Sequence, residues 1–266
     1  MVDAVAAGQA FSIGGCLKRA LSTFFANFIS FNLLGLAVMV PGMLLLVAVF
    51  GAVFASLFLG ASAAGGAPAV FGTLHVGAFG FAWVLLLTLQ YLLTAVIVFG
   101  ALRYLEGNKA GFFACLMQGL RRLGPIIAIA FISTVLLIVG FLLFVVPGII
   151  VALMICLAIP VLMVERPGVM ASLSRSRELT KGYRWHLLGL FLLGMVCTAL
   201  ATMAAVLPFQ LLSFSVESAA VIGAVVQLAM QLFTTVFLAV LLAVAYHDLR
   251  VAKEGVSTAQ IAAVFD

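Results

Sequence analysis

Residues 123–164 form the sequence LGPIIAIAFISTVLLIVGFLLFVVPGIIVALMICLAIPVLMV, which contains no charged side chain. A helix needs about 20 apolar residues to cross the hydrocarbon layer of a bilayer, so this stretch is long enough for two crossings. Proline stops an incoming helix and glycine permits a reversal, so Val145-Val146-Pro147-Gly148 predicts a tight turn between them. The stretch therefore predicts a helical hairpin inside a membrane.

The composition of the whole chain agrees with this interpretation. Of 266 residues, 66% are hydrophobic and 8% are charged, and the mean hydropathy is +1.37. Soluble domains have about 25% charged residues, so this chain lacks the side chains to cover a water-facing surface. The net charge of +5 comes from bases that flank apolar segments. Orientation in the membrane and contact with anionic phospholipids explain them better than nucleic acid does.

Further charge-free gaps complete the set of crossings. No charge lies between Arg19 and Arg103, between Arg184 and Glu217, or between Glu217 and Asp248. Together these gaps predict an all-α polytopic bundle with about six crossings. The predicted crossings are 28–58, 81–102, 124–145, 147–164, 185–207 and 219–246.

The first crossing has two interpretations. As one helix, residues 28–60 would be about 50 Å long at 1.5 Å per residue, which exceeds the roughly 30 Å hydrocarbon layer. Pro41-Gly42 in its middle favours a single kinked and tilted helix; two half-crossings are the alternative, but each is too short alone. The following residues 61–80 are rich in glycine and alanine and predict a loop.

The basic residues test the count of crossings. With six crossings, all of them fall on one side of the membrane, and the other side has only His75 and Glu217 as titratable groups. The basic side contains Lys18, Arg19, Arg103, Lys109, Arg121, Arg122, Arg166, Arg175, Arg177, Lys181, Arg184, Arg250 and Lys253. The positive-inside rule predicts that this side, with both termini, is cytoplasmic.

Three segments before hairpins resemble one another and predict an internal repeat. Each segment has small residues, followed by a short basic helix and a hydrophobic crossing. The three segments begin near Gly14, Phe113 and Met170. The predicted units of the single transmembrane domain (1–266) are about 12–104, 109–165 and 167–250, each an interfacial helix plus a helical hairpin, followed by a tail at 251–266. The alternative is that basic loops between helices are common in membrane proteins, so that the similarity is fortuitous.

The third interfacial segment contains the leading candidate site. Four bases follow one another at Arg175, Arg177, Lys181 and Arg184. Such clusters beside crossings are typical of sites for anionic lipid headgroups. Met170, Leu173 and Leu179 are expected to face the acyl chains while the bases extend to headgroups. The alternative role of these bases is to fix the topology.

A second candidate lies inside the membrane. Gln227, Gln231 and Thr235 are spaced four residues apart on the last crossing and share one face of a helix. Polar groups in hydrocarbon must find partners, so this face is expected to point into the bundle. It either lines a cavity or joins helices by hydrogen bonds.

The sequence contains no pattern of residues that indicates catalysis. The three histidines and four cysteines have no metal-binding spacing, and no nucleophile stands with a base or acid. We therefore expect no catalytic residues, no metal, no cofactor and no enzymatic activity. No charged residue is predicted at mid-membrane depth, which disfavours a powered transporter.

Several motifs together resemble a known family. They are the Pro147-Gly148 hairpin, the S-x-x-R-S-x-x-L-T-K-G run from Ser172 to Gly182, and the closing Tyr246-His247-Asp248-Leu249-Arg250. The pattern is similar to the membrane domain of bacterial glycerophosphodiester phosphodiesterases and to related stand-alone inner-membrane proteins. The resemblance implies a six-helix fold in the bacterial cytoplasmic membrane and a link to lipid or glycerophosphodiester metabolism. It implies no activity, because the catalytic domain of those fusions is a separate soluble barrel.

These observations predict a non-enzymatic inner-membrane protein that binds lipids, or that organises or assists other envelope components. The alternative is a small transporter or flippase-like protein with a cavity between the repeats.

Overall fold

The chain folds into a bundle of helices. The computed structural model describes residues 12–64, 73–108, 111–212 and 217–254, and within these residues there is no β-strand. The helices are α1 (Ile13–Ala26), α2 (Phe28–Ala64), α3 (Thr73–Leu105), α4 (Phe112–Leu120), α5 (Leu123–Leu143), α6 (Val145–Ile155), α7 (Ala158–Val164), α8 (Val169–Thr180), α9 (Arg184–Leu212) and α10 (Glu217–Glu254).

Six stretches of the described residues are long and apolar enough to cross a membrane. They are Phe28–Gly51, Gly80–Leu105, Leu123–Leu143, Val145–Val164, Arg184–Leu212 and Ser218–Glu254. The predicted all-α bundle with six crossings is confirmed, because each of these stretches coincides with one predicted crossing. The short helices α1, α4 and α8 precede the three hairpins in the order that the threefold repeat requires. The repeat itself stays a prediction.

Helices α3 and α10 lie at the centre of the bundle. They pack against each other and against most of the remaining helices. Their contact faces supply fully buried side chains, among them Val96, Ile97, Val240 and Val244. The outer faces of the crossings leave large apolar side chains exposed, as expected where lipid is the solvent.

The first crossing is one continuous helix. Helix α2 has Pro41 in its interior and is not divided into two half-crossings. The predicted loop at 61–80 is wrong at both ends, because α2 continues to Ala64 and α3 begins at Thr73. Alanine has the highest helix propensity, which explains why residues 61–64 extend the helix. Residues 65–72 lie outside the described part of the chain.

The hairpin in the middle of the chain is tighter than predicted. Helix α5 ends at Leu143, and Phe144 is the single extended residue before α6 begins. Pro147 therefore lies in the first turn of α6 and not in the turn itself. This position tolerates proline because the N–H groups of the first helical turn have no intrahelical acceptor.

The fourth crossing is interrupted, which the sequence analysis did not predict. Helices α6 and α7 are separated by Cys156 and Leu157. Pro160 explains the interruption: it has no N–H for the carbonyl of Cys156, and its ring clashes with that carbonyl in a regular helix.

The short helix α8 forms hydrogen bonds with the backbone at this interruption. Its Ser176 hydroxyl donates to the Met154 carbonyl at 2.7 Å and accepts from the Leu157 N–H at 3.2 Å. Ser176 is fully buried, as are Ser172 and Thr180. The expectation that Leu179 faces the acyl chains is wrong, since it is 1% exposed. The inner face of α8 is a row of hydroxyls whose backbone acceptors permit their burial.

Candidate functional site

A cavity of about 580 Å³ lies within the membrane-spanning part of the bundle. Five helices surround it: α3, α5, α6, α9 and α10. Most of its wall is apolar, with Phe141, Leu188 and Phe191 among the lining side chains. Its size lies within the range of about 300–1,000 Å³ that is common for small-molecule pockets.

Polar side chains line one part of this wall. They are Gln231, Thr234 and Thr235 of α10 and Gln90 and Thr94 of α3. The Thr94 and Thr235 hydroxyls donate to backbone carbonyls one turn earlier, at 2.9 Å each. The Gln90 and Gln231 side-chain amides have no hydrogen-bond partner among the described residues. An amide without a partner in hydrocarbon costs several kcal/mol, so these two amides require water or a ligand.

The cavity continues in both directions along the bundle. A space of about 520 Å³ between α9 and α10 shares Gln231 and Thr234 with it and extends to Gln227. A third space of about 250 Å³ shares Gln90 and Thr94 and extends to Tyr91. We call these three connected spaces the polar groove. Two residues of the predicted polar face, Gln231 and Thr235, lie on the wall of the main cavity, and Gln227 lies on its continuation.

No charged side chain lines the polar groove within the described residues. Its polar groups are amides, threonine hydroxyls and the Tyr91 phenol. Such a surface forms hydrogen bonds with neutral carbonyl, ester or hydroxyl groups, and it offers no counter-charge to an ion.

The interruption of the fourth crossing borders the groove. Cys156 lines both the main cavity and the space near Tyr91. Its thiol donates to the Leu153 carbonyl at 3.2 Å, within its own turn. The position of Pro160, four residues after Cys156, is the sequence signal that identifies this interruption.

At the end of the bundle that contains the bases, Arg175 belongs to an ionic network. Its Nε donates to Glu165 at 3.1 Å, and its guanidinium also pairs with Glu254. Glu165 accepts a second hydrogen bond from the Tyr246 hydroxyl at 2.9 Å, and Glu254 accepts from Arg250 Nε at 3.1 Å. These contacts join α7, α8 and α10, so Arg175 is engaged by carboxylates.

The other three residues of the predicted headgroup cluster have different surroundings. Arg177 and Lys181 are exposed, and Arg184 is half-buried at the start of α9. Lys253, from the end of α10, lies near Arg175, Lys181 and Arg184, whose positive charges act on it, and near Glu178, whose negative charge opposes them. Lys253 is not part of the cluster predicted from the sequence, because nearly the whole of α9 and α10 separates it from Arg184 along the chain.

A second ion pair joins the beginning and the end of the chain. Arg19 of α1 donates to Asp248 of α10 at 2.7 Å, and His247 Nδ1 lies 3.5 Å from the same carboxylate. The Cys16 thiol also contacts Asp248. Burial raises the pKa of the Cys16 thiol, and the negative charge of Asp248 raises it further.

Side chains of the metal-binding types do not form a metal site in the described part of the chain. Within 12–64, 73–108, 111–212 and 217–254, no group of three or more His, Cys, Asp or Glu side chains could hold a metal ion. The acids that lie together, Glu165 and Glu254, are paired with arginines.

Comparison with known proteins places most of the bundle in a family. No curated protein and no solved structure matches the chain. A family described as "Domain of unknown function (DUF7847)" matches residues 86–249, from the second crossing to the last. Since this match spans more than half of the chain and includes the polar groove, the protein belongs to the DUF7847 family.

Proposed function

We propose that this membrane protein binds a lipid in the polar groove and acts as a non-enzymatic accessory or organiser of the cell envelope. The observation that carries the proposal is the pair of unpartnered amides, Gln90 and Gln231, which both line a mostly apolar cavity. A lipid has hydrocarbon chains beside ester or hydroxyl groups, and this combination matches an apolar wall with a few neutral hydrogen-bonding groups.

The resemblance to the membrane domain of glycerophosphodiester phosphodiesterases supports a ligand of this class. By the same proposal the protein resides in the bacterial cytoplasmic membrane. The end with the bases and both termini face the cytoplasm, because the positive-inside rule assigns a one-sided set of bases to that face.

Lipid retained through purification tests the proposal. We expect native mass spectrometry of the detergent-solubilised protein to show bound phospholipid, and the double variant Gln90→Leu/Gln231→Leu to bind less of it. Asn32→Leu is the matched control, because Asn32 lies in α2, outside the lining of the groove, and its amide donates to the Phe28 carbonyl at 2.8 Å. Equal lipid occupancy in the wild type and the double variant would contradict the proposal.

The second candidate function is passage of lipids between leaflets. It is favoured by the length of the groove, which follows α10 from Gln227 to Leu242. At 1.5 Å per residue this distance is about 22 Å, most of the hydrocarbon thickness. Lipid passage predicts that proteoliposomes exchange fluorescent phospholipid between leaflets, more slowly with Gln227→Leu/Gln231→Leu. Static binding predicts no exchange above that of empty vesicles.

A further inference from the structure

We propose that Lys181, Arg184 and Lys253 form a binding site for a phosphate group, and that this phosphate belongs to the lipid whose hydrocarbon chain occupies the polar groove. We call these three residues the phosphate cluster. This inference rests on the proposed lipid-binding function and names the chemical class of the ligand.

Three cations converge in the phosphate cluster from two segments of the chain. Lys181 and Arg184 flank the turn between α8 and α9, and Lys253 lies in the last turn of α10. Lys253 Nζ lies 6.0 Å from the centre of the Tyr183 ring and donates to the Glu178 carbonyl at 2.5 Å. An ammonium has three donors, so two remain for another acceptor.

The nearby carboxylates pair with bases outside the cluster, and Glu178 offsets only part of the positive charge at Lys253. Glu165 and Glu254 pair with Arg175 and Arg250, and Glu178 pairs at 3.8 Å with Arg175. Within the described residues, Lys181, Arg184 and Lys253 form no ion pair with any carboxylate. Like charges repel one another at this spacing, and an anion between them would remove that repulsion.

Arg184 supplies a second observation that indicates a ligand. Its Nε is buried and has no hydrogen-bond partner. A buried donor on a charged group costs more than an unsatisfied neutral one, so this nitrogen requires an acceptor. The planar fork of arginine is suited to the oxygens of a phosphate.

Helix geometry connects the phosphate cluster to the groove. Arg184, Leu188 and Phe191 are spaced by four and three residues and therefore share one face of α9. Leu188 and Phe191 line the main cavity. Leu188 is about 6 Å from Arg184 along the helix axis, which is one turn. Trp185 is 76% exposed beside Arg184, as expected at the boundary between headgroups and acyl chains. A lipid with its phosphate at Arg184 therefore has the entrance of the groove directly below.

The experiment compares two phospholipids with the same chains. Native mass spectrometry measures how the solubilised protein binds phosphatidylglycerol, which is anionic, and phosphatidylcholine, which is zwitterionic. We expect the wild type to prefer phosphatidylglycerol. Arg184→Gln/Lys253→Gln should weaken binding of that lipid about thirtyfold, because each of the two bases contributes about 1 kcal/mol near a lipid surface and about 1.4 kcal/mol corresponds to a factor of ten. Binding of phosphatidylcholine should weaken less, because the choline ammonium of that lipid already compensates the charge of its phosphate.

The control variant removes the same charge elsewhere at the same end. Lys18 and Arg121 are exposed and form no ion pair among the described residues, and Lys18→Gln/Arg121→Gln should retain the preference. If Arg184→Gln/Lys253→Gln also retained the preference for phosphatidylglycerol, the proposed phosphate site would be refuted. The proposal that the groove binds a lipid would not be affected by that result. If the wild type bound neither lipid, both proposals would fall.

Inorganic phosphate distinguishes a lipid from a soluble ligand. We expect it to compete with phosphatidylglycerol only weakly, because it lacks the chain that enters the groove. Tight binding of inorganic phosphate that phosphatidylglycerol does not displace would assign the cluster to a soluble phosphate compound and overturn the lipid assignment.

Discussion

The hydroxyl of Ser176 lies 2.7 Å from the carbonyl oxygen of Met154 and donates a hydrogen bond to it, which connects α8 to the interruption of the fourth crossing. The same hydroxyl accepts from the Leu157 N–H. One side chain thus satisfies a backbone acceptor and a backbone donor that an uninterrupted helix would have satisfied itself. Unpaired backbone groups at this depth cost several kcal/mol, so Ser176 makes the interruption tolerable.

The substitution Ser176→Ala should therefore lower the free energy of unfolding. Both backbone groups lose their partner, and the expected cost is about 1–3 kcal/mol for each unsatisfied group. Thermal unfolding in detergent measures the change. Ser174→Ala is the control, because Ser174 lies on the exposed side of the same helix and should leave the melting temperature nearly unchanged. Equal melting temperatures for the two variants would show that Ser176 does not support the interruption.

The hairpin between α5 and α6 should depend on Gly140. A Cβ at this position would lie 3.1 Å from the Gly148 Cα, which is backbone and cannot rotate away. Gly140→Ala should push the two helices apart and cost about 1–3 kcal/mol, as overpacking usually does. Gly124→Ala in the same helix meets no atom within 4 Å and should be neutral or stabilising, because alanine favours helix. The two melting temperatures, measured side by side, check this difference.

Arg175 and Arg177 should respond differently to the same substitution. Arg175 holds Glu165 and Glu254 in the network that joins α7, α8 and α10. Its removal leaves Glu165 with only the Tyr246 hydroxyl and Glu254 with only Arg250 as donors, and we expect a loss of about 2 kcal/mol for Arg175→Ala. Arg177 is exposed, so Arg177→Ala should change stability by less than about 0.5 kcal/mol. Similar losses in both variants would argue against a structural network around Arg175.

Stability should fall at alkaline pH because of two buried thiols. Burial raises the pKa of Cys16 in α1 and of Cys115 in α4 above the ordinary value of 9.0. As the pH rises through 9.0, the unfolded chain loses these protons and the folded chain keeps them. The unfolded state is thereby favoured, by at most about 1.4 kcal/mol per thiol and pH unit.

Variants isolate this contribution. The melting temperature of Cys16→Ala/Cys115→Ala should decline less steeply between about pH 8 and pH 10 than that of the wild type, whatever its value at neutral pH. Ser174→Ala changes an exposed, non-titrating side chain of α8 and should keep the wild-type slope. A double variant with an unchanged slope would exclude the thiols as the cause.

Individual residues show how far sequence reasoning extends at the candidate sites. The four-residue spacing of Gln227, Gln231 and Thr235 predicted a shared helix face, because helix periodicity is a local property. That Gln90 of α3 lines the same cavity as Gln231 depends on how two helices pack, and no local pattern contains this information. In the same way, four bases that are neighbours in the sequence suggested one cluster, yet Arg175 pairs with Glu165 and Glu254. Lys253, which is far from Lys181 and Arg184 in the sequence, lies near both of them in the fold.

The linear order of the residues suffices to predict a membrane bundle of six helical crossings, because charged groups are expelled from hydrocarbon and the charge-free gaps are long enough to span it. The partners of the interior polar groups depend instead on helix packing. This holds for the burial of Ser176, the ion pair of Arg19 with Asp248 and the shape of the polar groove. Expulsion from hydrocarbon acts on each segment separately. Hydrogen bonding and ion pairing inside the bundle act between segments that are far apart in the chain.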